Sequence, residues 1–239
     1  MALAEKELEF AGFKYRVAYE SVPPPNCGDY HPSLWSHIDE DIVRRRIWRI
    51  SPGDIVFDVG AAYGSYGLTA LAQGAAHVYS WSPQGHPGDP LREADYLKKT
   101  LAANGWSEKM TIWENSGVYS ETGWYDTSAA SFAKDLSGPP GPWVLRVQAI
   151  DSLKLENGEP FVFPERIDWW KMDVEGAEAH VLRGAEKTIK RFRPKIAVEN
   201  HNFLIPDIES QVRTILESWS YRHDHTVQHG SVSHSLYLP

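Results

Sequence analysis

Residues 167–185, IDWWKMDVEGAEAHVLRGA, place Asp173, Glu175 and Glu178 where an apolar run of strand length passes into an alanine-rich helical segment. In an open α/β sheet the carboxyl end of a strand faces the crevice where ligands bind, so Asp173 is the first candidate for chemistry. Glu199 and His201 follow the next apolar run, residues 196–198. Two carboxylates and an imidazole at neighbouring strand ends can take a proton from an acceptor within hydrogen-bond reach. Each also has a plainer reading: Asp173 as a helix cap, Glu199 paired with Lys171 or Lys195, His201 bonded to a backbone carbonyl. Glu175 and Glu178 suit the positive end of the helix that follows, and Lys171 is spaced to depress the pKa of Asp173. The trio offers oxygen and nitrogen donors, yet ligands so separated in sequence make no metal site the expectation. His223, His225, His229 and His234 lack helical or finger spacing and read as exposed or pairing side chains.

The second stretch is residues 54–67, DIVFDVGAAYGSYG, an apolar strand that ends in an acid and runs through glycines into a helix. Gly60 and Gly64 allow a tight turn and close backbone approach, and the amides that open the helix are donors for a polar ligand. After Gly60 the next glycine is at 64, a departure from the dinucleotide fingerprint, where it would be at 62. A carboxylate at Asp58 repels a pyrophosphate and attracts an ammonium. Together these favour S-adenosylmethionine over NAD.

The blocks FDVGAAYG (57–64) and DWWKMDVEGAE (168–178), closed by PKIAVENH (194–201), resemble the FkbM family of S-adenosylmethionine-dependent methyltransferases. The likeness runs from about residue 53 to the end, and VQAIDSL (147–153) resembles the stretch ahead of the second block. It implies an α/β fold: a doubly wound, mostly parallel seven-stranded sheet of class I, Rossmann-like type, with an antiparallel C-terminal strand pair. It further implies cofactor contacts from Asp58, Gly60, Ala61, Tyr63 and Gly64, with Glu114 and Asn115 at the adenine end, and supports Asp173 and Glu199 in the site. Where the family carries Phe-Glu-Pro, this chain has Trp81-Ser82-Pro83. A serine at 82 makes fewer and weaker bonds to ribose hydroxyls than a carboxylate.

The remaining elements must position these residues. A hairpin is expected over 8–19, an extended linker at Pro23 to Pro25, and a helix over 38–50 with Ile38, Ile42, Val43, Ile47 and Ile50 inward. Arg44, Arg45, Arg46 and Arg49 read as its solvated face, since bases late in a helix suit the dipole. Asp89-Pro90 starts a helix that Gly105 ends, and residues 110–113 form a strand. Residues 119–143 read as an inserted hairpin or a loop, a single helix is expected over 177–190, and a last helix carries Ile208, Val212, Ile215, Leu216 and Trp219. The division expected is an N-terminal extension over 1–52 and a cofactor-binding domain over 53–239.

At 239 residues and 42% hydrophobic content the chain is long enough for one sizeable core. A net charge of −8 opposes a nucleic-acid backbone as partner. The single Cys27 excludes an intrachain disulfide, and the charged N-terminus together with the absence of a long apolar run leads to a cytoplasmic, non-membrane expectation. Among ten tryptophans and eleven tyrosines, Trp35, Trp81, Trp124, Tyr125 and Trp143 are expected to rim the crevice, and Trp48, Trp113, Trp169, Trp170 and Trp219 to pack. The function expected is methylation of a hydroxyl on a small molecule or glycan, oxygen being implied by the resemblance alone. A binding module that has lost cofactor affinity through Ser82 stands as the alternative, and an NAD-dependent oxidoreductase is a third reading that the glycine spacing and Asp58 oppose.

Overall fold

The computed structural model describes residues 3–20, 34, 37, 41–82, 93–114, 116–126, 133–134 and 144–239, with the backbone alone at Leu3, Glu20, Asp41, Ile42, Ser82, Asp126, Ala133, Lys134, Val144 and Leu145. Pro23 to Pro25, Cys27, Trp35, Ile38, Asp89, Pro90, Asn115 and Trp143 lie outside the described residues.

The weak alternation near the N-terminus forms the hairpin β1 (Leu3–Phe10) and β2 (Phe13–Glu20). Positive φ at both Ala11 and Gly12 gives the two-residue turn that matches strand twist. Helix α1 (Asp41–Ile47) follows, then β3 (Ile55–Val59), α2 (Ser65–Ala72), β4 (His77–Ser82), α3 (Glu93–Asn104) and β5 (Met110–Glu114). Gly105 ends α3 at φ 69°, the left-handed conformation a glycine adopts cheaply. The serine-, glycine- and aromatic-rich stretch contributes β6 (Ser116–Val118), β7 (Gly123–Asp126) and β8 (Ala133–Lys134), which join β9 (Val144–Gln148) in a second sheet of order β6-β9-β7-β8. The chain returns through β10 (Trp169–Met172), α4 (Glu178–Gly184), α5 (Glu186–Phe192), β11 (Lys195–Asn200) and α6 (Ile208–Ser218) to β12 (Arg222–His229) and β13 (Val232–Leu238).

The main sheet has seven strands in the order β12-β13-β11-β10-β3-β4-β5. Five are parallel, and β13 joins antiparallel to β11 and β12. Alternation along the strands divides the core in two. Phe57, Trp81, Trp113, Trp170, Met172 and Val198 face α4, α5 and α6. Val56, Val78, Trp169 and Ala197 face α1, α2, α3 and the N-terminal hairpin, whose Phe10, Tyr15 and Val17 share that cluster. Side chains two residues on from this second set, Asp58, Lys171 and Glu199, therefore leave the core on the α2 side.

Three expectations are corrected. Arg44 is 1% exposed, not solvated: it donates to the His37 carbonyl and lies over the Tyr66 ring, because it follows Val43 on the buried side of α1. Trp81 packs rather than lining a crevice, stacked on Trp113 at 4.6 Å and 4° across neighbouring strands, and Tyr125 is buried against Tyr119. Trp124 does point outward, as its exposure shows. The expected helix over 177–190 is broken at Ala185, whose φ of −123° leaves the helical range, and a β-carbon on the preceding Gly184 would overlap the Tyr119 carbonyl. Asp151 then accepts bonds from the Lys187 and Thr188 amides and opens α5 from another part of the chain. Among the described residues no helix is long and apolar enough to cross a membrane.

Candidate functional site

The glycine turn is held by backbone hydrogen bonds. Gly60 and Ala61 donate their amides to the Trp81 carbonyl, at 3.2 and 2.9 Å, which anchors the turn to β4. Positive φ at Gly60, Ala62 and Gly64 brings the chain round into α2. A β-carbon on Gly60 would overlap the carbonyl of Asp173, and one on Gly64 would overlap Leu97. Glycine is thus required at Gly60 by close approach of backbone as well as by φ, and at Gly64 by φ, since Leu97 can turn aside. Asp58, 1% exposed, accepts from the Gly67 amide at 3.0 Å and clamps the turn to the helix. Burial raises its pKa to about 6, although Lys171 and the Gly67 amide oppose the rise. Tyr63 stands edge-on to Tyr96 at 5.7 Å.

Lys171 is register partner of Asp58 on one side and of Ala197 on the other. Its ammonium is buried, 4.2 Å from the centre of the Tyr66 ring, 3.5 Å from Asp173 Oδ2 and 4.0 Å from Glu199 Oε2. A buried lysine is tolerated only where carboxylates offset its desolvation. Burial pushes the Asp173 pKa up, but Lys171, then His201 and His234, outweigh it, so the net shift is downward. Asp173 takes no capping position, since Ala177 precedes α4 without a side-chain cap.

His201, 2% exposed, sits where β11 ends. Its Nδ1 lies 2.7 Å from Glu178 Oε1, while Nε2 stands 3.6 Å from Asp173 Oδ1, 3.6 Å from Glu199 Oε1 and 3.4 Å from Glu175 Oε2. Burial lowers its pKa, but the Glu178 bond and the charges of Asp173, Glu175 and Glu178 raise it further, for a net rise. Asp173, Glu199 and His201, far apart in sequence, thus converge.

Two residues have parts in this cluster that sequence reasoning did not give them. Glu178, fully buried, accepts from the Gly176 amide at 3.1 Å and from His201, so it orients the imidazole as well as favouring its own helix end. His234 is the register partner of Glu199, with Nδ1 3.6 Å from Glu199 Oε2, and burial and Lys171 drive its pKa down to about 3. Sequence spacing hinted at the first, two residues from Gly176; the second depends on antiparallel register. Glu114 ends β5 as register partner of Ser82 and is ion-paired with Lys98. It lies at the far end of the turn from the acidic cluster, on the β4 and β5 side.

The model for the methyltransferase FkbM domain matches residues 58–223. A search of curated proteins found no significant match. Among solved structures, the FkbM methyltransferase from Methylobacillus flagellatus KT superimposes with a TM-score of 0.58 at 18% identity, over 82% of this chain and 46% of that one. A Streptococcus mutans protein described as a SAM-dependent methyltransferase gives 0.53 at 10% identity, over 100% of this chain and 56% of its own. The chain spans about half the length of these two structures, which are similar to it in fold. The matched stretch contains both the glycine turn and the convergent acids and covers well over half of the sequence: the chain belongs to the methyltransferase FkbM domain family.

Proposed function

We propose that this protein is an S-adenosylmethionine-dependent methyltransferase that acts on a hydroxyl of a small molecule or glycan. The carrying observation is the contact of Gly60 with Asp173, which sets the glycine turn of β3 against the acidic end of β10 with no side chain between. A donor cradled at the turn and an acceptor at the acids would then be neighbours. The residues fit the cofactor at one end: Asp58 is a carboxylate for an ammonium, and Gly60, Ala61, Tyr63 and Gly64 form the surface over which a nucleoside would lie. At the other end Ser82 supplies no carboxylate, and Glu114, its partner in register, is the acid nearest in the sheet.

When bound, S-adenosylmethionine supplies an electrophilic methyl group. The chain's own work is to hold the acceptor oxygen in line with it and to receive the hydroxyl proton. Asp173, with 24% of its side chain exposed, and Glu199 and His201 behind it form the group that faces an acceptor. Phe203, 57% exposed and edge-on to His201, offers an apolar wall beside them. On this reading residues 53–239 are the cofactor-binding unit and 1–52 an extension, of which β2 packs on α3 and α1 on β12 and β13.

Calorimetric titration with S-adenosylmethionine tests the proposal. Saturable binding in roughly the micromolar range supports it, and no binding at millimolar ligand favours the second reading, a binding module without cofactor affinity, which rests on Ser82.

A further inference from the structure

We propose that Asp173, Glu199 and His201 form a site for one divalent first-row cation of the Mn2+ or Zn2+ kind. Their donor atoms lie within 4.8 Å of one another. His201 Nε2 stands 3.6 Å from Asp173 Oδ1 and equally 3.6 Å from Glu199 Oε1. Those separations exceed the roughly 2.7–2.9 Å of a charge-assisted hydrogen bond. They match instead the roughly 3.0–3.6 Å between neighbouring ligands bonded to one ion at about 2.0–2.2 Å.

The imidazole supplies an independent reason. Glu178 Oε1, at 2.7 Å, takes the Nδ1 proton of a histidine that is 2% exposed. With Nε2 deprotonated, its lone pair faces the carboxylate oxygens of Asp173 and Glu199 at 3.6 Å and of Glu175 at 3.4 Å, and a cation among them would offset that repulsion as the Nε2 proton otherwise does. A carboxylate behind the distal nitrogen is the usual support of a metal-bound histidine. Lys171 reaches the other oxygens, Asp173 Oδ2 and Glu199 Oε2, which turns Oδ1 and Oε1 toward the imidazole. One nitrogen and two carboxylates suit manganese or zinc better than magnesium, which prefers oxygen ligands throughout. The open side at Asp173 leaves room for an exogenous oxygen, which such an ion polarises. That last use rests on the proposed methyl transfer; the binding does not.

The test is Mn2+ binding to the full chain, followed by the loss of the free-ion electron paramagnetic resonance signal, with pulsed spectroscopy for nitrogen coupling. One equivalent should bind, coupled to one imidazole nitrogen, with Zn2+ displacing it. Asp173→Asn, Glu199→Gln and Glu178→Gln should each weaken binding at least tenfold, whereas His225→Ala should leave it unchanged. Failure of the wild-type chain to bind either ion at millimolar concentration overturns the site, as does binding without nitrogen coupling or binding lost with His225. The wild-type spectrum decides even where a variant does not fold. Titration with S-adenosylmethionine in the presence of a chelator separates the two ideas: retained nucleoside binding without metal binding removes only the cation site, and the reverse removes only the methyltransferase reading.

Discussion

A β-carbon on Gly60 would occupy the space of the Asp173 carbonyl oxygen, so the two segments most telling in the sequence touch backbone to backbone. With φ at 82°, Gly60 also holds a conformation that costs a side chain of order 1–3 kcal/mol in strain alone. Gly60→Ala should therefore lower stability by more than that strain and weaken S-adenosylmethionine binding at least tenfold. Urea unfolding and calorimetry measure the two effects, and a variant of wild-type stability would show that the strands can separate freely.

Asp58 should give cofactor binding a pH dependence. Its pKa is raised to about 6 by burial, and only the ionised carboxylate attracts an ammonium. Affinity should be level above that pH and fall by about tenfold per pH unit below it. In Asp58→Asn the affinity should be weaker by one to two orders of magnitude and flat across the same range. A wild-type curve already flat from pH 5 to 8 would exclude Asp58 as the ionising group.

The parallel strands, the helices between them and the glycine turn were legible because they rest on short-range patterns, apolar runs and turn glycines, and the seven-stranded sheet followed from the family resemblance. Asp173, Glu199 and His201 were legible as candidates because each follows an apolar run. Their place at neighbouring strand ends was legible too, but the distances among their side chains were not, since these depend on how β10 and β11 pair. His234 came from still further away, through the pairing of β13 with Glu199. Arg44 and Trp81 were misread for another reason: charge patterning and aromatic richness carry no information on which side of an element meets a neighbour. The break at Ala185 falls beside two tertiary contacts that local propensity cannot contain, Tyr119 against Gly184 and Asp151 on the first amides of α5.

Glu114 and Ser82 are register partners at the ends of β5 and β4. If the glutamate serves the ribose in place of the missing acid, Glu114→Ala should weaken nucleoside binding by roughly tenfold or more, as loss of a charge-assisted contact does. Ser82→Glu should then compensate in the double variant. Unchanged affinity in Glu114→Ala, measured by calorimetry, would leave the ribose without a carboxylate partner on this side of the turn.

Asp151 offers a stability test apart from the site. It accepts from the Lys187 amide at 2.9 Å and from the Thr188 amide and hydroxyl at 2.8 Å each. Asp151→Ala removes the cap of α5 and should cost about 1–2 kcal/mol. In a domain of this size that is a fall of roughly 2–8 °C in Tm, read by calorimetry. S-adenosylmethionine affinity should not change, and a large loss of affinity would mean that α5 bears on the site directly.

His37 should make the protein acid-labile in a defined window. It is 2% exposed, with Nδ1 3.0 Å from the Tyr15 hydroxyl, and burial followed by the charge of Arg44 drives its pKa to about 3. The unfolded chain binds a proton near pH 6.5 that the folded chain refuses until about pH 3. Stability is therefore complete above 6.5 and falls on acidification through the window, by about 1.4 kcal/mol per pH unit for this one group. His234, shifted to about 3 as well, adds to the same slope. His37→Gln keeps a hydrogen-bonding side chain but no titrating ring. Urea unfolding between pH 6.5 and 4.5 should show its slope reduced by about one proton relative to the wild type. Identical slopes would mean that the ring reaches water before the chain unfolds, and that the contact between the N-terminal hairpin and α1 opens on its own.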